Sequence, residues 1–113
     1  ILAVGLGAFG AHALKPMLIE TNRLDAYQTA VAYHFYHVFA LLVTGILMKF
    51  KHNKKLLTAS TLFLVGIVAF SGSLYVICIF NFRQLAMLTP VGGVLLMAGW
   101  LFLLLSFFKK DEA

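Results

Sequence analysis

Acidic residues are scarce in this 113-residue chain: only Glu20, Asp25, Asp111 and Glu112 occur, and none stands inside an apolar run. Paired carboxylates for acid–base work are therefore missing, as are a buried acid to orient a histidine base and a membrane-embedded charge to couple transport to ions. Cysteine is rarer still. With Cys78 alone there is no intramolecular disulfide and no CxxC metal or redox motif. The nine Lys and Arg leave a net charge of +5. They sit in short clusters beside apolar runs, the pattern of cytoplasmic loops rather than of a nucleic-acid surface, so no nucleic acid is expected as a partner.

What remains is overwhelmingly apolar. With 62% hydrophobic and 12% charged residues and a mean hydropathy of +0.96, a soluble domain could not be solvated, and a membrane protein is implied. A helix needs about 20 apolar residues to cross the hydrocarbon layer. Segments at about 1–14, 29–50, 56–80 and 90–108 supply four candidates. The expectation is an all-α chain, residues 1–113 forming a single integral membrane domain built as a four-helix transmembrane bundle. The first segment falls short of a full crossing and reads as a helix truncated at its N-terminus.

That first segment contains Gly5-x-Gly7-x-x-Gly10. No βαβ unit surrounds this GxGxxG, so dinucleotide binding does not follow. Ala3, Gly7 and Ala11 recur every four residues, the spacing of small residues that lets membrane helices approach closely. Ala11-His12-Ala13 resembles a signal-peptidase site, but three further membrane segments follow it.

Lys15 to Gln28 forms the first loop, in which Thr21 or Asn22 is a candidate N-cap for the helix that follows. Thr89-Pro90 reads in the same way as an N-cap and first helical residue of the last span. Lys49, Lys51, Lys54, Lys55, Lys109 and Lys110 flank one side of the membrane, and only Lys15, Arg23 and Arg83 flank the other. The positive-inside rule then predicts both termini in the cytoplasm.

With that topology, depth follows from about 1.5 Å of rise per residue. His12 ends the first helix, His34 and His37 lie roughly 8 to 12 Å inside the second, Ser71, Ser73 and Tyr75 occupy the outer half of the third, and Thr89 opens the fourth. Widely separated residues thus converge on one layer in the outer half. His34 and His37 are neighbours at i and i+3, with Tyr33 beside them; Ser71, Tyr75 and Cys78 follow at i, i+4 and i+7. Such stripes can hydrogen-bond across helices and do nothing else. They can also bind a lipid or other small amphiphile, or a second copy of the chain, through His12, Tyr33, His34, His37, Ser71, Ser73, Tyr75 and Thr89, with Phe9, Phe35, Phe39, Phe70 and Phe80 as walls. A third reading is a metal- or quinone-dependent redox or proton-handling component, with His12, His34 and His37 as the metal ligands. Trp100, near mid-membrane, reads as packing. No catalytic residue is assigned, no cofactor is specified, and the absent acid argues against an enzyme.

Four strings taken together, Gly7-Ala8-Phe9-Gly10-Ala11-His12-Ala13-Leu14-Lys15, Thr29-Ala30 through Tyr33-His34 to His37, Phe70-Ser71-Gly72-Ser73-Leu74-Tyr75, and Thr89-Pro90-Val91-Gly92-Gly93 to Gly99-Trp100, resemble a family of small bacterial membrane proteins. The family is domain of unknown function 423, with eukaryotic relatives called transmembrane protein 256. The resemblance implies a multi-pass protein of the bacterial inner membrane with four helices and no established biochemical role.

Overall fold

The fold follows from helices that must hide their backbone polarity from lipid and can gain contact only by close packing. A computed structural model describes residues 1–108, so Lys109, Lys110, Asp111 and Glu112, and with them two lysines of the charge bias, lie outside the described residues. Six α-helices occur among those described: α1 Leu2–Ala11, α2 Lys15–Glu20, α3 Leu24–Phe50, α4 Lys54–Ile67, α5 Ser73–Phe80 and α6 Leu88–Leu105. A single wide turn of π-helix, Val68–Gly72, joins α4 and α5 into one rod, and a 3-10 turn, Arg83–Met87, leads into α6. Three helical stretches are long and apolar enough to cross a membrane: Leu24–Phe50, Lys54–Phe80 and Arg83–Leu105. The chain is an all-α membrane bundle, and α1 is a shorter apolar helix of ten residues laid against α3.

The bundle is flat, 53 × 25 × 15 Å. Little interior results, and large apolar side chains such as Phe39, Val68, Phe80 and Met97 face outward, as a lipid-bathed surface requires. Of the five phenylalanines expected to wall a site, Phe9, Phe39 and Phe80 lie on this surface instead.

The core sits where α6 crosses the α4–α5 rod. One face of α6 presents Gly92, Leu96, Gly99 and Leu103, and the rod answers with Leu56, Ala59, Phe63 and Ile67. The glycines set the closeness of approach. A methyl group on Gly66 would stand 2.6 Å from the Leu96 side chain, and one on Gly99 2.7 Å from the Phe63 ring. The wide turn keeps the rod's buried face continuous: Phe63, Ile67, Ser71, Tyr75 and Cys78 are buried at spacings of four, four, four and three, wider on average than the 3.6 per turn of an α-helix, and one loose turn absorbs the excess. Ser71, Tyr75 and Cys78 thereby stay on the buried side of the rod.

Two expected caps are corrected. Neither Thr21 nor Asn22 caps α3, which begins after Arg23; Thr21 Oγ1 instead donates back to the Met17 carbonyl at 2.8 Å and closes α2, while Asn22 adopts a left-handed φ of 59°. Helix α6 starts at Leu88, before Thr89-Pro90, because the 3-10 turn runs straight into it with helical backbone at Met87 and Leu88; the Thr89 hydroxyl is engaged with Ser73 on α5 rather than with its own helix. Helix α3 begins at Leu24, five residues earlier than hydropathy alone implies, since Tyr27 on its first turns is itself buried. At the lysine-rich end, Lys51 Nζ and Asn53 Nδ2 both donate to the Ser106 carbonyl, at 3.3 and 3.2 Å, and close the exposed end of α6.

Candidate functional site

The buried face of α3 carries Tyr27, Ala30, His34, His37, Ala40 and Thr44, one every three or four residues. Its first half faces α5 and the wide turn, where His34 and the Ala30 carbonyl find partners, and its second half packs on α4. His34 Nδ1 meets the Tyr75 hydroxyl at 2.9 Å. Ser71 Oγ donates to the Ala30 carbonyl at 2.7 Å, so the wide turn is bonded to α3. Ser73 Oγ donates to the Phe70 carbonyl at 2.9 Å. Having spent its one proton there, it accepts from the Thr89 hydroxyl, which ties α5 to α6. The structure therefore brings His34, Ser71, Ser73, Tyr75 and Thr89 into one layer of separate hydrogen bonds across α3, the wide turn, α5 and α6.

His37 lies deeper and its chemistry is fixed by its partners. Its Nδ1 is 2.7 Å from the Tyr33 carbonyl, which can only accept, so Nδ1 carries the proton. Its Nε2 is 3.0 Å from the indole nitrogen of Trp100, which can only donate, so Nε2 offers its lone pair there. The ring is thus the neutral Nδ1–H tautomer with both nitrogens committed and none free for a metal. Trp100 is a hydrogen-bond donor as well as a packing residue. Its position was the available signal, because an indole N–H inside a bilayer needs an acceptor.

The two remaining predicted residues stand apart. Tyr33 is exposed at the helix surface, its ring tilted against that of Phe70 with centroids 4.9 Å apart and stacked on that of His37 at 6.1 Å. His12 is exposed at the end of α1. Among the described residues no group of three metal-binding side chains comes together. The expected ligand set His12, His34 and His37 thus lacks its geometry: His12 is on the surface and His37 has no free nitrogen.

A double-mutant cycle measures the deep contact. Trp100→Phe and His37→Leu each lose stability, and the coupling between them is expected at about 0.6–2 kcal/mol, the range for hydrogen bonds between membrane helices. Additive single effects in reversible unfolding from mixed micelles would show that the indole–imidazole bond contributes nothing.

Sequence reasoning also missed Tyr27, which is 1% exposed. Its hydroxyl donates to the Leu6 carbonyl at 2.6 Å, tying α1 to α3. Its ring lies 5.4 Å from that of Tyr75 and so continues the polar layer toward α1. Between α1 and α3 there opens a cleft of about 260 Å³. Gly7, Gly10 and Ala11 form one wall, Tyr27 and Val31 the other, and Lys15 and Gln28 also line it.

Comparison with known proteins agrees with this architecture. Residues 6–93 match the model of a family described as a protein of unknown function, DUF423. A UPF0382 membrane protein of Staphylococcus haemolyticus is 38% identical over 96% of this chain and 88% of its own length. The UPF0382 membrane protein YwdK of Bacillus subtilis is 40% identical over 96% and 89%. The UPF0382 inner membrane protein YgdD of Escherichia coli is 36% identical over 91% and 78%. No solved structure gives a significant match.

Proposed function

We propose that this chain, which belongs to the DUF423 family of bacterial membrane proteins, binds one lipid or other small amphiphile in the outer half of its bundle. The observation that carries the reading is the cleft between α1 and α3. Its walls of glycine, alanine, valine and an aromatic ring suit an acyl chain, and Lys15 and Gln28 offer a cation and an amide for a polar head. An apolar slot lined in part by a few polar groups is the usual form of such a site.

Topology supports the same reading. Lys49, Lys51, Lys54 and Lys55 gather at one end of the rods, against Lys15, Arg23 and Arg83 at the other. The positive-inside rule assigns the richer end to the cytoplasm, and the cleft then opens toward the outer leaflet. The polar layer supports the cleft from behind: His34 holds Tyr75, and Tyr75 packs on Tyr27. On this reading His34, Ser71, Ser73, Tyr75 and Thr89 shape the site, while Tyr33 and His12 are available at the surface for further contact.

Native mass spectrometry of protein extracted in a mild detergent tests this. A stoichiometric adduct of lipid mass is expected, reduced in Lys15→Glu, where the exposed position makes loss of folding an inadequate explanation. The same spectrum reads self-association. Bare monomer from both proteins would count against the proposal.

One observation favours a second reading, a quinone-dependent redox or proton-handling component. His34 is 9% exposed, and its Nε2 meets no protein partner among the described residues. A chromophore that copurifies with the protein and is lost in His34→Ala would move the balance to that reading.

A further inference from the structure

Beside the α1–α3 cleft, and sharing no residue with it, a second hollow of about 370 Å³ opens where α5 ends. Arg23 and Arg83 line it together with Thr21, Asn81, Met17 and Ile79, and no carboxylate among the described residues does. Asp25 lines a separate hollow with Leu18 and Leu24. Two guanidinium groups facing one space without a counter-charge repel each other, and an anion between them removes that repulsion.

The arginines come from far apart in the sequence and are delivered by defined backbone. Arg23 is the residue before α3, and its Nη1 donates to the Ile77 carbonyl in the last turn of α5 at 3.0 Å. That bond fixes the guanidinium at the negative end of a helix and uses one of its five N–H donors, leaving four for a ligand. Asn81, at a left-handed φ of 58°, ends α5, and the chain then enters the 3-10 turn that begins with Arg83. Thr21 and Asn81 add a hydroxyl and an amide. Met17 and Ile79 add apolar side chains to its lining.

We infer that this hollow is an anion site for a phosphate group flanked by apolar chain. The planar fork of arginine matches phosphate oxygens two at a time, and two forks supply the positive charge of a phosphodiester or phosphomonoester site. The apolar side chains of Met17 and Ile79 in the lining favour a phosphate that carries acyl chains, an anionic lipid headgroup, over the free ion. The site stands independently of the Lys15 cleft, because it rests on different residues and different charges.

The experiment reconstitutes the protein in nanodiscs of phosphatidylcholine with increasing phosphatidylglycerol and counts the lipids retained on release for native mass spectrometry. Phosphatidylglycerol is expected to be enriched over phosphatidylcholine. Arg83 is exposed and its side chain makes no hydrogen bond among the described residues, so Arg83→Gln tests the site without disturbing the fold. It is expected to lower that enrichment by about five- to tenfold, the loss of a charge-assisted contact, with Arg83→Lys falling between. Arg23→Lys is expected to lower it as well, and a circular-dichroism melt reports whether Arg23→Lys has kept its fold. Lys15→Glu should leave this enrichment in place, which separates failure here from failure of the α1–α3 cleft. Added inorganic phosphate distinguishes the sources: unaffected lipid retention supports the headgroup, and displacement of lipid at millimolar phosphate supports the free ion at the same arginines. Equal retention of the two lipids, or enrichment unchanged in both Arg83→Gln and Arg23→Lys, overturns the inference.

Discussion

Gly92→Ala is expected to reduce the yield of folded protein more than any other single methyl addition in the chain. The added carbon would stand 2.3 Å from the Phe70 amide nitrogen and 2.7 Å from the carbonyl carbon of Ala69. These are backbone atoms of the wide turn, so no side-chain rotation relieves the overlap, and α6 must move off the rod. The turn is itself bonded to α3 through Ser71, so it is not free to retreat. Overpacking costs about 1–3 kcal/mol where side chains can yield, and a clash against backbone belongs at or above the top of that range. In lipid there is no hydrophobic effect between helices to compensate, since close packing is the main source of their attraction. Gly93→Ala is the control beside it, because its methyl would make only ordinary contacts with the Phe70 ring, at 3.7 Å. Gly45→Ala meets nothing within 4 Å and is expected to be neutral or to stabilise by up to about 1 kcal/mol through helix propensity. Thermal unfolding of the three variants in detergent decides the matter. Equal midpoints for Gly92→Ala and Gly93→Ala would show that α6 does not approach the wide turn this closely.

The contrast between Gly92 and Gly93 shows where the sequence is legible and where it is not. Apolar length is enough to reveal helices in a membrane, because a bilayer leaves the backbone few alternatives. Periodicity is enough to put Ser71, Tyr75 and Cys78 on one face and His34 beside His37, and these residues are buried as that spacing implies. The partners are another matter. Thr89 followed by proline carries the signature of a helix cap, yet its hydroxyl serves Ser73 on another helix. His12, His34 and His37 look alike as letters, but one is exposed, one bonds Tyr75, and one is locked between a carbonyl and an indole. The wide turn leaves no local mark, because a single surplus residue in a long apolar run alters neither composition nor hydropathy. The two hollows at the arginine-bearing end were legible only as separate charges, Lys15, Arg23 and Arg83, since helix crossings far apart in the chain decide which space each one lines.

At the other interface, Gly10→Ala is expected to detach α1 and to dismantle the α1–α3 cleft with it. A methyl on Gly10 would lie 2.2 and 2.6 Å from two carbons of the Tyr27 ring. A ring can usually swing aside, but this one is held at both faces of the problem: its hydroxyl is bonded to the Leu6 carbonyl and its other side packs on Tyr75. The cheaper response is for the ten-residue α1 to lift away, because it is short and lies chiefly against α3. A loss of about 1–3 kcal/mol is expected, the usual scale of overpacking. It should appear locally, as faster hydrogen exchange of α1 amides while the α4–α6 core keeps its protection. Gly5→Ala, whose methyl would meet nothing within 4 Å, should leave α1 protected. The decisive variant is Gly10→Ala combined with Tyr27→Leu. Removing the ring edge makes room for the methyl, so α1 protection should return while the aromatic wall of the cleft does not. Lipid retention at Lys15 should then stay low in the double variant even though the helix is docked again. If retention recovers along with protection, Tyr27 is a wedge between helices and no part of a binding surface, and the cleft's selectivity must come from Lys15 and Gln28 alone.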